Sequence, residues 1–593
     1  MDAHGAQWYE SRRQIAPFES IACVCQPSLV RGVARTHRAS TGFSGCPQDD
    51  TMAADMKRST TRQRRLDQRP LDGQPVPAQP TASVDLPDSP KPEDPGPPVG
   101  STAFARRDLF LYVLVVPILF LATCWNVFHT CERVWFSTFL LGDEHLVIDS
   151  MIRHRATSRV PAPVGLGQYG MHTESDYVIL AADFQASKEP PAKFYLYRSH
   201  IGAQAYLFVL LDKLFHPNDF SLFHTLNALL LAAILGALVV WARAEFGWAA
   251  ALSLLAAMLL SRWLIVFGRN MYWMSWTWWL PMVAVSVVFN RYRHGTRRFY
   301  AILFLSTGLL VFAKCSAGYE FTPTILIAAA TPAVYYGLKV GRRWKSIVGD
   351  IVGIGCAGAA GFLAAVFLHA LLLGPTLSGG FASIWSDARR RTYGNPSDFD
   401  PEFRESLEVS PLAVVNRYLW WDAVANAPFG MVPIPAAGPH VSPFVLYQNR
   451  VSSALAGFKY GRFLLLFAAS GLVALCFWRT TVWDRSLGAL LAAAAFSIAA
   501  PISWFVLGKG HSWIHFHIDW VVWHVPFVNL AVVFMAVLLF RMAAWVAGVM
   551  RAVTIGVAHT SPWWWTTRPP APRTRGLSRE RTPSGRRSQS RKR

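Results

Sequence analysis

The stretch DLFLYVLVVPILFLATCWN, residues 108–126, is followed sixteen positions later by Gly142-Asp143-Glu144-His145. Its only charged side chain, Asp108, stands at its start. At 1.5 Å per residue a helix of that length spans about 28 Å, close to the hydrocarbon thickness of a bilayer. The run therefore reads as a membrane span, and the acidic pair falls just beyond the surface that the span reaches. Two adjacent carboxylates in that place are costly to keep ionised unless they are hydrated, paired or used.

Working outward, nine more stretches are apolar and long enough to cross, or nearly so: 222–241, 248–267, 271–289, 300–316, 320–338, 346–373, 458–478, 486–507 and 527–549. The expected fold is thus an all-α polytopic membrane bundle of about ten transmembrane helices. The run Ile201–Phe215 is apolar but short and carries Asp212 and Lys213, which suits an amphipathic helix lying in the interface. Only 16% of the 593 residues are charged and mean hydropathy is +0.26, too little charge for the solvated shell of a soluble protein this long. Among the 24 tryptophans, Trp263, Trp273, Trp276, Trp478, Trp504 and Trp523 sit near span ends, where an aromatic belt is expected.

The formal net charge of +21 has a definite location. Residues 551–593 hold eleven Lys or Arg and one Glu, so this tail alone carries +10. It is rich in Pro and Ser and lacks apolar periodicity, the pattern of a disordered basic tail drawn to anionic headgroups rather than a nucleic-acid reader. Residues 1–105 are likewise polar, with a Pro-rich run from Pro70 to Pro98. Three domains follow: a disordered tail over 1–105, a membrane domain over 106–550, and a disordered basic tail over 551–593. Basic connections at Arg291–Arg298, Lys339–Lys345 and Arg479–Arg485 belong in the cytoplasm by the positive-inside rule. Ten spans with both termini inside place all three there. The same threading puts outside the loops 127–221 and 375–457, the corners at 268–271 and 314–321, and the segment Lys509–Pro526.

These outer segments hold the residues able to carry chemistry. Beside Asp143 and Glu144 stand Arg269 and Tyr272 at the second corner, then Lys314, Tyr319 and Glu320 at the third. An Arg at such a corner either snorkels or holds a phosphate as a planar fork. Lys314 and Glu320 either pair with each other or serve a ligand. The last segment reads Lys509-Gly510-His511-Ser512-Trp513-Ile514-His515-Phe516-His517-Ile518-Asp519-Trp520. Helical spacing of His511, His515 and Asp519 would make a metal face, while imidazoles and an ammonium among tryptophans suit an anionic, sugar-bearing ligand. The loop 375–457 adds Asp387, Arg389, Arg390 and Arg391, and the run Tyr418, Trp420, Trp421, Asp422. Cys131 and Cys315 are the two cysteines near the outer face, within conceivable reach of a disulfide.

One span, an outer loop opening on an acidic pair and holding short amphipathic helices, then closely spaced spans with Arg269 at the next outer corner, resembles the GT-C fold of membrane glycosyltransferases. That group includes protein O-mannosyltransferases and lipid A aminoarabinose transferases. The resemblance covers about residues 105–550 and rests on topology and short motifs. It implies an inverting glycosyltransferase of the cell envelope, with a polyprenyl-phosphate-linked sugar as donor and a glycan, lipid or protein as acceptor. It implies an active site on the extracytoplasmic side of the plasma membrane. Asp143 or Glu144 would act as catalytic carboxylate, and Arg269, Lys314, Lys509 and His511 would bind the donor phosphate. Tyr272, Tyr319, Glu320, His515, His517 and Asp519 are further site candidates. No cofactor is required and no metal ligand is assigned, although a divalent metal stays open. Relatives often carry an acid shortly after that Arg, and Asn270–Trp279 has none; Glu320 or Asp519 would have to substitute. A transporter or flippase of lipid-linked glycans and a noncatalytic membrane scaffold are the rival readings.

Overall fold

The computed structural model describes residues 106–131, 136, 141–159, 164–170, 177–188, 190, 192–421, 458–516 and 518–554. The expectations for residues 1–105, for 555–593, for Asp422 and for His517 lie outside these residues, while residues 551–554 of the expected disordered basic tail are helical.

The described chain is mainly helical. It opens with α1 (Arg106–Trp125), α2 (Leu141–Thr157), α3 (Tyr177–Ala186) and α4 (Ala203–Phe215). There follow α5 (Ser221–Phe246), α6 (Trp248–Leu260), α7 (Arg262–Phe267), α8 (Trp276–Arg291), α9 (Arg297–Ala317), α10 (Thr322–Lys339) and α11 (Trp344–Leu373). Then come α12 (Leu377–Arg391), α13 (Pro401–Glu408), α14 (Pro411–Trp420), α15 (Tyr460–Cys476), α16 (Arg485–Ser497), α17 (Ala499–Leu507), α18 (Lys509–Ile514) and α19 (Phe527–Thr554). The all-α expectation needs one amendment. Between α2 and α4 two short strands, β1 (Gly167–Tyr169) and β2 (Phe194–Leu196), pair antiparallel with Gly167 opposite Leu196.

Six helical segments among the described residues are long and apolar enough to cross a membrane: α1, α5, α9, α11, α16 with α17, and α19. The other four expected spans are helical but fall short, for local reasons. The 248–267 run breaks at Ser261, whose backbone is extended and whose hydroxyl accepts from Leu264 N at 3.3 Å, capping a new helix. The 271–289 run starts late because residues 270–275 form a turn, with Asn270 Oδ1 accepting from Trp273 N at 3.0 Å and Ser275 Oγ donating to Phe267 O at 3.1 Å. In α10, Pro323, Pro332, Tyr335, Tyr336 and Lys339 dilute the apolar content. That helix packs against α8, α11, α16 and α17 and most of its residues are buried, so it is a central helix with little call for a lipid-like surface. α15 has 17 residues. α4, with 13 residues, spans about 20 Å and is too short to cross, in keeping with an interfacial helix.

The bundle has two distinct ends. At one, Arg342 pairs with Asp350 (2.6 Å) and so does His294 (3.2 Å), Lys339 pairs with Glu245, Arg243 with Asp108, and Gly341 packs against Arg485. The three basic connections therefore gather together. At the other end lie the first turns of α2 and α5, the corners before α8 and α10, and the segment from Lys509 onward. The core that joins the ends is rich in buried rings, among them Trp278, Trp279, Trp520 and Trp523. Trp263, Trp273 and Trp504 are buried as well, so these and Trp523 pack inside the bundle rather than in a belt, while Trp478 is exposed. Cys131 Sγ faces the Arg262 carbonyl and Cys315 Sγ the Thr322 hydroxyl, so the conceivable disulfide is not formed.

Candidate active site

Asp143 and Glu144 occupy the first turn of α2, where the helix N-terminus favours negative charge. They face different partners. Glu144 is buried, and its Oε1 accepts from the Met271 backbone N–H at 2.7 Å and lies 3.0 Å from His224 Nε2. The turn before α8 supplies the first contact and the start of α5 the second. Burial works to raise its pKa, but His224, the Met271 N–H and Arg269 outweigh it and hold the carboxyl below its usual range. Glu144 is thereby an anion fixed in place.

Asp143 has a lighter set of contacts. Its Oδ2 accepts from Trp273 Nε1 at 3.1 Å. Burial pushes its pKa up to about 6, assisted by the Glu320 and Glu144 carboxylates and opposed by the Trp273 N–H and by His511. Trp273 is in turn stacked on Phe321 at 5.5 Å, and Phe321 meets Trp504 edge-on at 5.1 Å. A carboxyl that takes up and releases its proton near neutral pH beside one that stays ionised is the arrangement general acid–base chemistry needs.

Glu320 brings the third corner into the same region. It is buried, which by itself raises a carboxyl pKa, yet His200, Lys314, Arg391 and His511 together bring it down to about 2. Arg391, at the end of α12, reaches Glu320 Oε1 at 3.4 Å and donates to Tyr197 Oη at 3.2 Å and Ser199 Oγ at 3.0 Å. Tyr197 Oη accepts from Tyr272 Oη at 3.4 Å, and Tyr272 Oη meets His200 Nε2 at 3.1 Å. Burial keeps His200 neutral, with its pKa down at about 3, and pushes the Tyr272 phenol well up. Gly510 makes this closeness possible: a Cβ there would stand 2.9 Å from the Arg391 carbonyl oxygen, so the ends of α12 and α18 could not approach as they do.

The remaining candidates divide. Arg269 donates to the Phe136 carbonyl at 2.9 Å, with its guanidinium over the Phe136 ring, and acts on Glu144 through its charge. Lys314 donates to the Gly318 and Glu320 carbonyls, each at 2.5 Å. It holds the corner's backbone, and the Glu320 carboxylate goes to Arg391. Lys509 donates to the Leu407 and Val409 carbonyls, closing the end of α13. Tyr319 meets His369 Nδ1 at 3.1 Å. α18 stops at Ile514, so His515 and Asp519 do not continue a helical face with His511. Instead Asp519 Oδ2 accepts from Trp504 Nε1 at 2.6 Å and lies 3.4 Å from His511 Nδ1, and the His511 and His515 rings stand 4.5 Å apart. Among the described residues no group of three His, Cys, Asp or Glu is placed to hold a metal ion.

No family model, curated protein or solved structure matches the chain. Its site is therefore read from its own geometry. Residues from four of the segments expected outside come together at one end of the bundle. Sequence reading singled out neither Tyr197, His200 nor His224, placed Trp273 in the belt, and took Arg391 only as one of a loop's cations. Each acts through a partner 71 to 194 residues away in the chain.

Proposed function

We propose that this chain is a membrane glycosyltransferase with a GT-C-like arrangement, using a polyprenyl-phosphate-linked sugar and acting on the extracytoplasmic side. One observation carries the reading: Asp143, able to exchange a proton near neutral pH, is held between Trp273, the ionised Glu144 and the ionised Glu320. Asp143 is the base. It takes the proton of an acceptor hydroxyl as that oxygen attacks the anomeric carbon. The bond from that carbon to the donor phosphate breaks, and the phosphate leaves with the electron pair. Glu144 and Trp273 orient Asp143, as a positioning shell does.

The leaving phosphate needs cationic or donor groups. Lys314 and Lys509 are engaged by backbone carbonyls, which favours Arg269 and Arg391 over the lysines for that task. Glu320 supplies the acid missing after Arg269. The basic end faces the cytoplasm in this reading, which supports the outward position of the site. The test is sugar transfer by Asp143→Asn against wild type, with membrane insertion unchanged. Undiminished transfer in the variant would leave the acid pair a structural feature and return the chain to the scaffold or transporter readings.

A further inference from the structure

At the far end of α2 from the acid pair, three helices stop around a cavity of about 640 Å³. α2, α3 and α4 end at Thr157, Ala186 and Phe215. The residues that follow, Ser158, Ser187 and His216, all have left-handed backbones, with φ of 56°, 51° and 44°, and all line the cavity. Glycine is the usual occupant of that conformation, since a Cβ there costs roughly 1 kcal/mol. Three side chains with hydrogen-bonding tips adopt it around this one cavity.

Charge in the wall defines the ligand. Helix carbonyl ends are negative, and Asp212 adds a full charge. Arg155 meets both: its Nε and Nη2 hold the Asp212 carboxylate at 2.9 and 2.6 Å, while Nη1 and Nη2 reach the Phe184 and Pro217 carbonyls at 2.9 and 2.7 Å. Arg155 thus neutralises Asp212 and ties down one carbonyl of the α3 end and the Pro217 carbonyl. Lys213 also lines the cavity and has no carboxylate partner among the described residues. His154 lines it as well, is only 7% exposed, and its Nδ1 has no hydrogen-bond partner among the described residues. The lining offers a guest the Lys213 ammonium, the His154 and His216 imidazoles, two serine hydroxyls and the amides of Gln185 and Asn218, hydrogen-bond donors of the kind that hold phosphate.

α4 also says where the phosphate comes from. Its outer stripe, Leu207, Leu210 and Leu214, is 37%, 54% and 65% exposed and runs to Phe215 and His216 at the cavity's edge. A stripe of that kind on a helix too short to cross belongs in the headgroup region. We infer that this cavity binds the phosphate of a membrane phospholipid, whose chains lie along the α4 stripe. The site needs no catalytic role for Asp143.

Calorimetric titration of the full-length purified protein with dihexanoyl phosphatidic acid, and separately with inorganic phosphate, tests it. Lys213 and His216 are exposed, so a Lys213→Ala, His216→Ala double variant keeps the fold. The short-chain lipid is expected to bind, with affinity falling at least about tenfold in the double variant and unchanged in Lys188→Ala, a nearby exposed control that does not line the cavity. Equal affinity for inorganic phosphate would overturn the lipid assignment in favour of free phosphate. Absence of binding by both, or lipid binding unaltered by the double variant, would overturn the site.

Discussion

Asp143 and Glu144 are neighbours in sequence, yet Glu144 accepts from the Met271 N–H at 2.7 Å and faces His224 at 3.0 Å, whereas Asp143 accepts from the Trp273 indole at 3.1 Å. Fixed donors stabilise one charge and burial disfavours the other. Proton affinity therefore separates two side chains that share a helix turn.

Stability should follow from that separation. Asp143 has a folded-state pKa of about 6 against an ordinary 3.8, so the folded protein binds this proton more tightly than the unfolded chain does. Through this group the protein loses stability as pH rises from about 4 to about 6, and the loss persists above. Asp143→Asn removes the loss. The variant's Tm should exceed that of wild type at pH 8, and the difference should shrink towards pH 4; a variant less stable than wild type at pH 8 contradicts this.

Glu144 should behave in the opposite way. Glu144→Ala strands the buried Met271 N–H and removes the carboxylate facing His224, at a cost of about 1–3 kcal/mol. Glu144→Gln keeps an acceptor for the Met271 N–H and should lose less than half of that. Denaturation midpoints of the two variants measure the contrast.

Arg391 and Glu320 form the link between the α12 end and the third corner. Removing the guanidinium takes away one of the groups that stabilise the buried Glu320 carboxylate and leaves Lys314 nearby, so Arg391→Ala should destabilise by roughly 1–3 kcal/mol. Adding Glu320→Gln should return part of the loss, because the buried charge goes with it. Strict additivity of the two substitutions would show that the pair is not coupled.

Lys509 separates a structural ammonium from a ligand-binding one. Two of its three donors go to the Leu407 and Val409 carbonyls. Lys509→Met should lower Tm while leaving the KM for a polyprenyl-phosphate sugar within about threefold, whereas Arg391→Lys should raise that KM more strongly, since a point charge cannot replace the planar fork. A large KM effect from Lys509→Met would restore it to the phosphate site.

Much of the gross plan was legible in the chain. Every expected span corresponds to helix, and the acid pair, Glu320 and His511 do come near one another, because hydropathy and charge asymmetry act locally and show in any window of sequence. The breaks were harder. Ser261 caps a helix inside an apolar run, and nothing in hydropathy separates a capping serine from a tolerated one. α10 is central, and its burial depends on which helices surround it. Trp273 looked like a belt residue because its sequence neighbours suit one; its indole N–H is bound to a carboxylate 130 residues earlier. For Lys314 and Lys509, sequence shows an ammonium and not the carbonyls that it meets.

The most direct test of the central claim is single-turnover sugar transfer from a radiolabelled polyprenyl-phosphate sugar, with wild-type and Asp143→Asn protein in lipid nanodiscs. A general base contributes about 10²–10⁴-fold, so the variant should transfer at least about a hundredfold more slowly while staying folded and inserted. Over a pH series the wild-type rate should fall as pH drops through about 6, where Asp143 takes up its proton. A folded variant that transfers within about threefold of wild type, with the same pH profile, would contradict the assignment of Asp143 as the base.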